Sequence, residues 1–466
     1  MEVSLHRDRP DWGEIVATTL AMLACTLLLL VPGFFVPHYF AVVGVVLVAL
    51  MAFPLVRTYG SCIAGLRRNP EPPAKPDGAE WPRVTILIPT YNEANVLPRS
   101  MAALAHVDYP RDRIEFLYVC ESRSNDGTQQ LLRDQAERDP RFRVFERSGG
   151  RPGKSAAFND GVAQCHGDIL VGLDADQVLK PDAVQRAARW FLADPKLDCI
   201  KGRAIGLNGR ESPLALMMRI ERDILERGDI YARQLASGFT FFGGGQVFFR
   251  RSVFDRVGGY SEEQLVEDID YSVRIHASGG RLRVDPGIQT HEENPARLAA
   301  WWAQRKRWAR GWFQVAAHYL PRIHRLRVRA LPRLDLYLTF VYVFIPMALI
   351  LLLPLGILGR FGYDVGALPS QWTWIWTAAA VAPFVSWATM MVRDAIDGVR
   401  HEWREVAALP FLPVYYTMLS IVAWAAFFDE FVLRKPRVFV KTSKTGAQMG
   451  GGGVAAGRVG DAVDEA

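Results

Sequence analysis

Five stretches of this chain are long, apolar and almost free of charge: Val16–Val31, Phe40–Val56, Leu334–Leu358, Trp372–Val392 and Val406–Phe428. Each approaches the roughly 20 residues that a helix needs to cross the core of a bilayer. Between them, from Ala79 to Arg333, the sequence is mixed and polar and reads as a soluble domain. The expected organisation is two transmembrane helices within residues 1–68, a Pro-rich linker at 69–82 (NPEPPAKPDGAEWP) and a soluble domain at 83–325. A transmembrane region of about three apolar segments follows at 334–433, then a basic segment and a Gly/Ala-rich flexible tail at 434–466.

Charge orients this arrangement. The net charge is +6, and arginines gather beside the apolar stretches: Arg57, Arg67 and Arg68 after the second, Arg322 to Arg333 before the third. Basic residues flank cytoplasmic ends of spans, so the middle domain is expected in the cytoplasm of a multi-pass inner-membrane protein. Basic residues placed beside spans argue against a nucleic-acid partner. The first span lacks an A-x-A-like cleavage site and a second span follows at once, so it reads as an anchor and not a signal peptide. Three full crossings after the domain would put Lys441 on the far side. Pro410 and Pro413 interrupt the last stretch, which leaves a re-entrant or hairpin course open. The five cysteines show no CxxC pair, so neither a disulfide framework nor a zinc site is expected.

Within the soluble domain short apolar runs alternate with helical patterns. Strands are expected at Val84–Ile88, Ile114–Val119, Arg143–Phe145 and Ile169–Leu173, with helices near Glu93–Ala105, Gly127–Glu137 and Lys154–Cys165. This β-α-β-α rhythm predicts a Rossmann-like, mostly parallel sheet, whose ligands bind beyond the carboxyl ends of the strands. Those ends read IPTYNEANV (88–96, with Thr90, Asn92 and Glu93), YVCESRSNDGT (118–128, with Glu121), GGRPGKSAAFNDG (149–161, with Lys154) and VGLDADQVL (171–179). Taken singly, each also fits a plain turn.

The fourth end is more specific. Asp174 and Asp176 follow an apolar run and, on an extended chain, point to one side. Two carboxylates so close call for a cation between them, and Mg2+ or Mn2+ shared with substrate phosphates suits oxygen ligands. Lys154 adds positive charge for the same phosphates, although GRPGK is too short for a Walker A loop. Farther on, Glu267, Asp268 and Asp270 open a helix, either as catalytic groups or as acids suited to its dipole. The stretch WWAQRKRWARGW (301–312) falls in a helix expected at 295–317. Gln304, Arg307 and Trp308 share one face; Arg305, Lys306 and Arg310 lie mostly elsewhere, placed for phospholipid headgroups, with Trp302 and Trp312 at the interface.

Read together, these motifs resemble the family 2 glycosyltransferases, in the membrane-embedded branch of cellulose, hyaluronan and chitin synthases. The branch's DxD is matched by Asp174-Ala175-Asp176, its ED by Glu267-Asp268 and its Q-x-x-R-W by Gln304-Arg305-Lys306-Arg307-Trp308, in the same order. One motif departs: Glu121 stands where the first nucleotide-contacting Asp is expected. The resemblance implies a GT-A fold and inverting transfer of a sugar, UDP-glucose or UDP-GlcNAc being the expected donors. It makes Asp174 and Asp176 the metal site and Asp268 the base. Thr90, Asn92, Glu93, Glu121, Lys154, Asp174, Gln304 and Arg307 would hold the nucleotide sugar. Gly243 and Gly244, in Phe241–Gly245, and Trp308 would meet the acceptor. Arg437–Thr442 loosely resembles the substrate-covering loop of cellulose synthase, and equally reads as a basic juxtamembrane segment. The acceptor is expected to be a growing polysaccharide; the alternatives are a single transfer to a lipid, or a transporter or scaffold that only binds nucleotide sugar.

Overall fold

The computed structural model describes residues 11–437 apart from 237–238, 349, 352–373 and 400, together with Thr442, Lys444 and Gly446. The end of the third apolar stretch, the start of the fourth, most of 437–442 and the tail beyond Gly446 lie outside the described residues.

The first two apolar stretches form α1 (Trp12–Leu30) and α2 (Tyr39–Gly65). Four helical stretches among the described residues are long and apolar enough to cross a membrane: Trp12–Phe34, Tyr39–Gly65, Ala330–Ala348 and Trp403–Val432. The sequence placed Arg57 just after the second span. The helix instead runs through it for two further turns, to Gly65. Arg57 therefore lies inside a helix, where a charged residue needs a partner.

The soluble domain is built on one eight-stranded sheet. Strands β1 (Val84–Thr90), β2 (Ile114–Glu121), β3 (Phe142–Arg147) and β4 (Ile169–Gly172) pair in parallel, in the order β3-β2-β1-β4. β1 and β4 are covered on both faces, which is why they read as nearly continuous apolar runs. The sheet continues through β7 (Val247–Arg250), β6 (Cys199–Gly206), β8 (Leu282–Glu292) and β5 (Val178–Leu179). β7 is antiparallel to both its neighbours and β5 is antiparallel to β8, while β6 and β8 run parallel, so this half is mixed and the sheet stays mostly parallel as the sequence pattern predicted.

Helices α3 (Leu97–Ala105), α4 (Thr128–Arg138) and α5 (Lys154–Val162) connect the parallel half, and α6 (Ala183–Ala193) joins β5 to β6. After β6 come α7 (Pro213–Asp223), a π-helical segment Ile224–Ile230 and α8 (Tyr231–Ala236); then α9 (Arg251–Val257), α10 (Glu267–Ala277), α11 (Leu298–Tyr319) and α12 (Ala330–Tyr342). One face of the sheet packs on α3 and α6 through Leu97, Leu104, Val184 and Phe191. The other packs on α5, α10 and α11 through Phe158, Ile269, Val273 and Val315. Strand order reverses between β1 and β4, so the loops beyond their ends part and leave a crevice.

α11 joins the two halves of the molecule. Its Trp301, fully buried, packs with Tyr415 of the helix Leu412–Phe427, and its Phe313 packs among Met22, Met347 and Trp424. The sequence placed Arg305, Lys306 and Arg310 toward lipid headgroups, and Trp302 and Trp312 at the interface. The structure differs. Arg305 is paired with Glu221 at 2.5 Å, Lys306 with Asp429 at 3.1 Å and Arg310 with Glu430 at 3.0 Å. Trp302 is buried and donates to Glu14 at 3.0 Å, and Trp312 stacks edge-on against Phe241. α1, α7 and the carboxy-terminal helices supply carboxylates at this level, so the cations are neutralised within the protein.

Candidate active site

A cavity of about 600 Å³ opens beyond the ends of β1, β2 and β4. Every site residue expected from the sequence lines it except Asn92. Asn92 instead shapes the wall. It adopts a left-handed backbone (φ 53°), and its side-chain oxygen accepts from the Asn125 amide at 2.9 Å. The neighbouring Glu93 amide donates to Thr128 Oγ1 at 2.8 Å, and the Ala94 amide to Asp126 Oδ2 at 3.0 Å. The Asn125–Thr128 loop thus locks the β1 and β2 ends together.

Glu121, at the end of β2, accepts from Arg147 Nη1 at 2.7 Å, and that guanidinium also reaches Asp160 at 2.5 Å. Arg123 lies over the Tyr91 ring at 6.0 Å, and both line the cavity beside Glu121. Neither Tyr91 nor Arg123 stood out in the sequence, where each looks like an ordinary loop residue.

Asp174 and Asp176 reach the cavity by a route the extended-chain argument did not foresee. Residues 174–177 form a tight turn: the Gln177 amide donates to Asp174 O at 3.0 Å, and the Asp174 amide to Gln177 Oε1 at 3.1 Å. Gln177 is itself fully buried and held by Gln246 and Glu292. Asp176 accepts from the Glu293 amide at 3.2 Å. Each carboxylate also carries an ammonium, Lys154 on Asp174 and Lys444 on Asp176. Burial opposes the charge on Asp174, yet Lys154 outweighs it and holds the carboxyl below its ordinary range. Lys444 was not singled out in the sequence. Its signal is a T-x-K spacing with Thr442, whose hydroxyl faces Gln304 at 3.5 Å.

Lys154 spans two motifs, since its Nζ also lies 4.0 Å from Glu267. Burial and the charge of Asp268 push Glu267 up to about 7. Burial likewise raises Asp268, against hydrogen bonds from the Gly244 amide at 2.5 Å and the Ile269 amide at 2.9 Å. Gly244 has φ 77°, a conformation that aims its N–H at Asp268 and that few other residues would accept. From α11, Gln304, Arg307 and Trp308 present one face to the cavity, as the helical period predicted. Arg305 backs the Trp308 ring at 4.8 Å.

Residues 85–258 match the family model for glycosyl transferase family 2. The chain carries a family 2 glycosyltransferase domain. The chain is 29% identical over 248 residues to the beta-monoglucosyldiacylglycerol synthase of Synechocystis, covering 51% of this chain and 50% of that protein. It is 23% identical over 349 residues to the poly-beta-1,6-N-acetyl-D-glucosamine synthase of Staphylococcus epidermidis, covering 73% of this chain and 80% of that protein. The chain spans 50% to 63% of the length of several such curated relatives. Among solved structures, the mannosyltransferase PcManGT from Pyrobaculum calidifontis, in complex with GDP-Man and Mn2+, superposes with a TM-score of 0.55. That alignment covers 84% of this chain and 99% of the other at 22% identity. The transferase domain has the GT-A fold.

Proposed function

We propose that this protein transfers a sugar, with inversion, from a nucleoside diphosphate sugar to an acceptor hydroxyl held at a membrane. The observation that carries the reading is the convergence of three distant motifs, Asp174/Asp176, Glu267/Asp268 and Gln304/Arg307/Trp308, on one cavity, with Lys154 bridging the first two.

Asp268 is the base. Buried and raised, its carboxylate takes the acceptor proton as the hydroxyl oxygen attacks the anomeric carbon. The bond to the diphosphate breaks on the opposite face, and its electron pair leaves with the nucleoside diphosphate. The Gly244 amide fixes the carboxylate, Arg307 and Lys154 hold the diphosphate, and Trp308 offers a flat platform to the acceptor. Thr90, Glu93 and Glu121 line the nucleotide end, with Tyr91 and Arg123 flanking the nucleobase.

Asp174 and Asp176 fit a divalent cation, Mg2+ or Mn2+. Both are hard oxygen donors on one turn, and both attract ammonium groups. Such a cation, when bound, offsets charge on the departing diphosphate. Four apolar helices among the described residues and the basic residues beside them support an inner-membrane location with the domain in the cytoplasm.

The test is incubation of the purified full-length chain with a panel of labelled UDP- and GDP-sugars, with and without Mg2+ or Mn2+. Metal-dependent release of nucleoside diphosphate with transfer of label is expected for at least one donor. No turnover with any donor would contradict the reading.

A further inference from the structure

The cavity does not end at the catalytic residues. Past Trp312 its lining continues onto α2, the π-helical segment, the span Ala330–Ala348 and the helix Leu412–Phe427. This part of the lining includes Val343, Pro346, Leu419, Val422 and Ala423, none of which offers a side-chain hydrogen bond. Hydroxyls of a threading sugar polymer would find no partner there, and losing water without replacement is costly. An alkyl chain finds a matched surface.

The same cavity is also lined by Arg57, Asp229 and Arg233, whose charges pair with one another. Arg57 Nε donates to Asp229 at 2.7 Å, and Arg233 pairs with Asp229 at 3.2 Å and Asp335 at 3.1 Å. Two guanidiniums face two carboxylates. Although burial opposes its charge, Asp229 is held down at about 2 by Arg233 and Arg57, so the cluster stays ionised. Charges already paired in this way offer hydrogen bonds to a polar headgroup without calling for an anionic one.

From this we infer that the acceptor is an uncharged membrane lipid bearing a free hydroxyl, its head beside the Arg57–Asp229–Arg233 cluster and its chain along Val343, Pro346, Leu419, Val422 and Ala423. The inference rests on the transferase reading above. In the reaction the lipid hydroxyl oxygen bonds to the anomeric carbon, its proton passes to Asp268, and the nucleoside diphosphate departs with the bonding electrons.

The test reconstitutes the full chain in phosphatidylcholine vesicles containing either 1,2-diacylglycerol or phosphatidylglycerol, and supplies the labelled donor panel. Label is expected in a chloroform-extractable glycolipid with diacylglycerol, and little with phosphatidylglycerol. Ala423→Phe narrows the apolar part of the cavity, so the ratio of transfer to long-chain over short-chain diacylglycerol should fall about tenfold, the scale of misfit in an apolar pocket. Misfolding would lower both rates and leave that ratio unchanged, so the ratio reads the apolar lining itself. An unchanged ratio in a variant that still turns over overturns the inference. Label in a water-soluble or insoluble polymer overturns it too, while leaving the transferase reading intact. Absence of nucleoside diphosphate release from every donor overturns both.

Discussion

Arg305 is the residue on which the interfacial-helix and the packed-helix accounts of α11 part most sharply. A rim arginine near headgroups is worth only about 1 kcal/mol, and its loss would pass almost unnoticed. In the structure its guanidinium grips Glu221 at 3.0 and 2.5 Å, and the Tyr415 hydroxyl donates to the same carboxylate at 2.7 Å. The two side chains are only 11% and 17% exposed. Removing one partner of a buried pair costs about 3–5 kcal/mol when nothing else satisfies the other. Here Tyr415 remains, which reduces the expected cost of Arg305→Ala to about 2–3 kcal/mol. Loss of the cation over the Trp308 ring adds about 0.5–1 kcal/mol. At about 2 °C per kcal/mol for a large chain, the melting temperature in detergent should fall by roughly 5–8 °C. The exposed Arg138→Ala is the control. A shift for Arg305→Ala no larger than the control's would refute the packing argument and return Arg305 to the lipid surface.

Other expectations follow from the same geometry. Trp308→Ala should lower kcat/KM for transfer by about tenfold, the scale of a lost aromatic platform, with the donor dissociation constant unchanged by calorimetry. The rate of transfer should rise with pH through a step near 7, because Glu267 is pushed to about 7 and Asp268 is raised beside it; a profile flat from pH 5.5 to 8.5 would contradict this. At His401 burial disfavours the charge, but hydrogen bonds to Asp394 and Glu405 outweigh it and lift the imidazole from 6.5 to about 9. A raised histidine stabilises fully below pH 6.5 and loses that contribution as pH climbs through 9. Thermal stability should therefore fall by about 2–3 kcal/mol across that window, and His401→Gln should flatten the curve.

The parts of this molecule written in local pattern were legible in the sequence. The parallel strands announced themselves because strands covered on both faces are apolar throughout. Gln304, Arg307 and Trp308 were grouped by helical period alone, and all three line the cavity. What could not be read locally were the partners of charges. Arg305, Lys306 and Arg310 find Glu221, Glu14 and Glu430 at separations of 84, 292 and 120 residues, and no window of sequence links them. Arg57 was hidden for a related reason: its apolar run appeared to end there, whereas the helix continues and Asp229 receives the charge. Asp174 and Asp176 were rightly grouped but by the wrong geometry, since a turn held by the buried Gln177, not an extended strand, brings both to the cavity.

The central claim is that Asp268 removes the acceptor proton, and one pair of measurements on Asp268→Asn tests it most directly. The amide keeps the shape and an oxygen for the Gly244 N–H but cannot take a proton at neutral pH. Donor affinity, measured by calorimetry with the nucleoside diphosphate, should stay within about threefold of the parent, while single-turnover transfer should fall by at least about 100-fold, the lower end of what a positioned base contributes. Transfer at the parent rate per folded molecule would contradict the account and make Asp268 only the first-turn acid of α10.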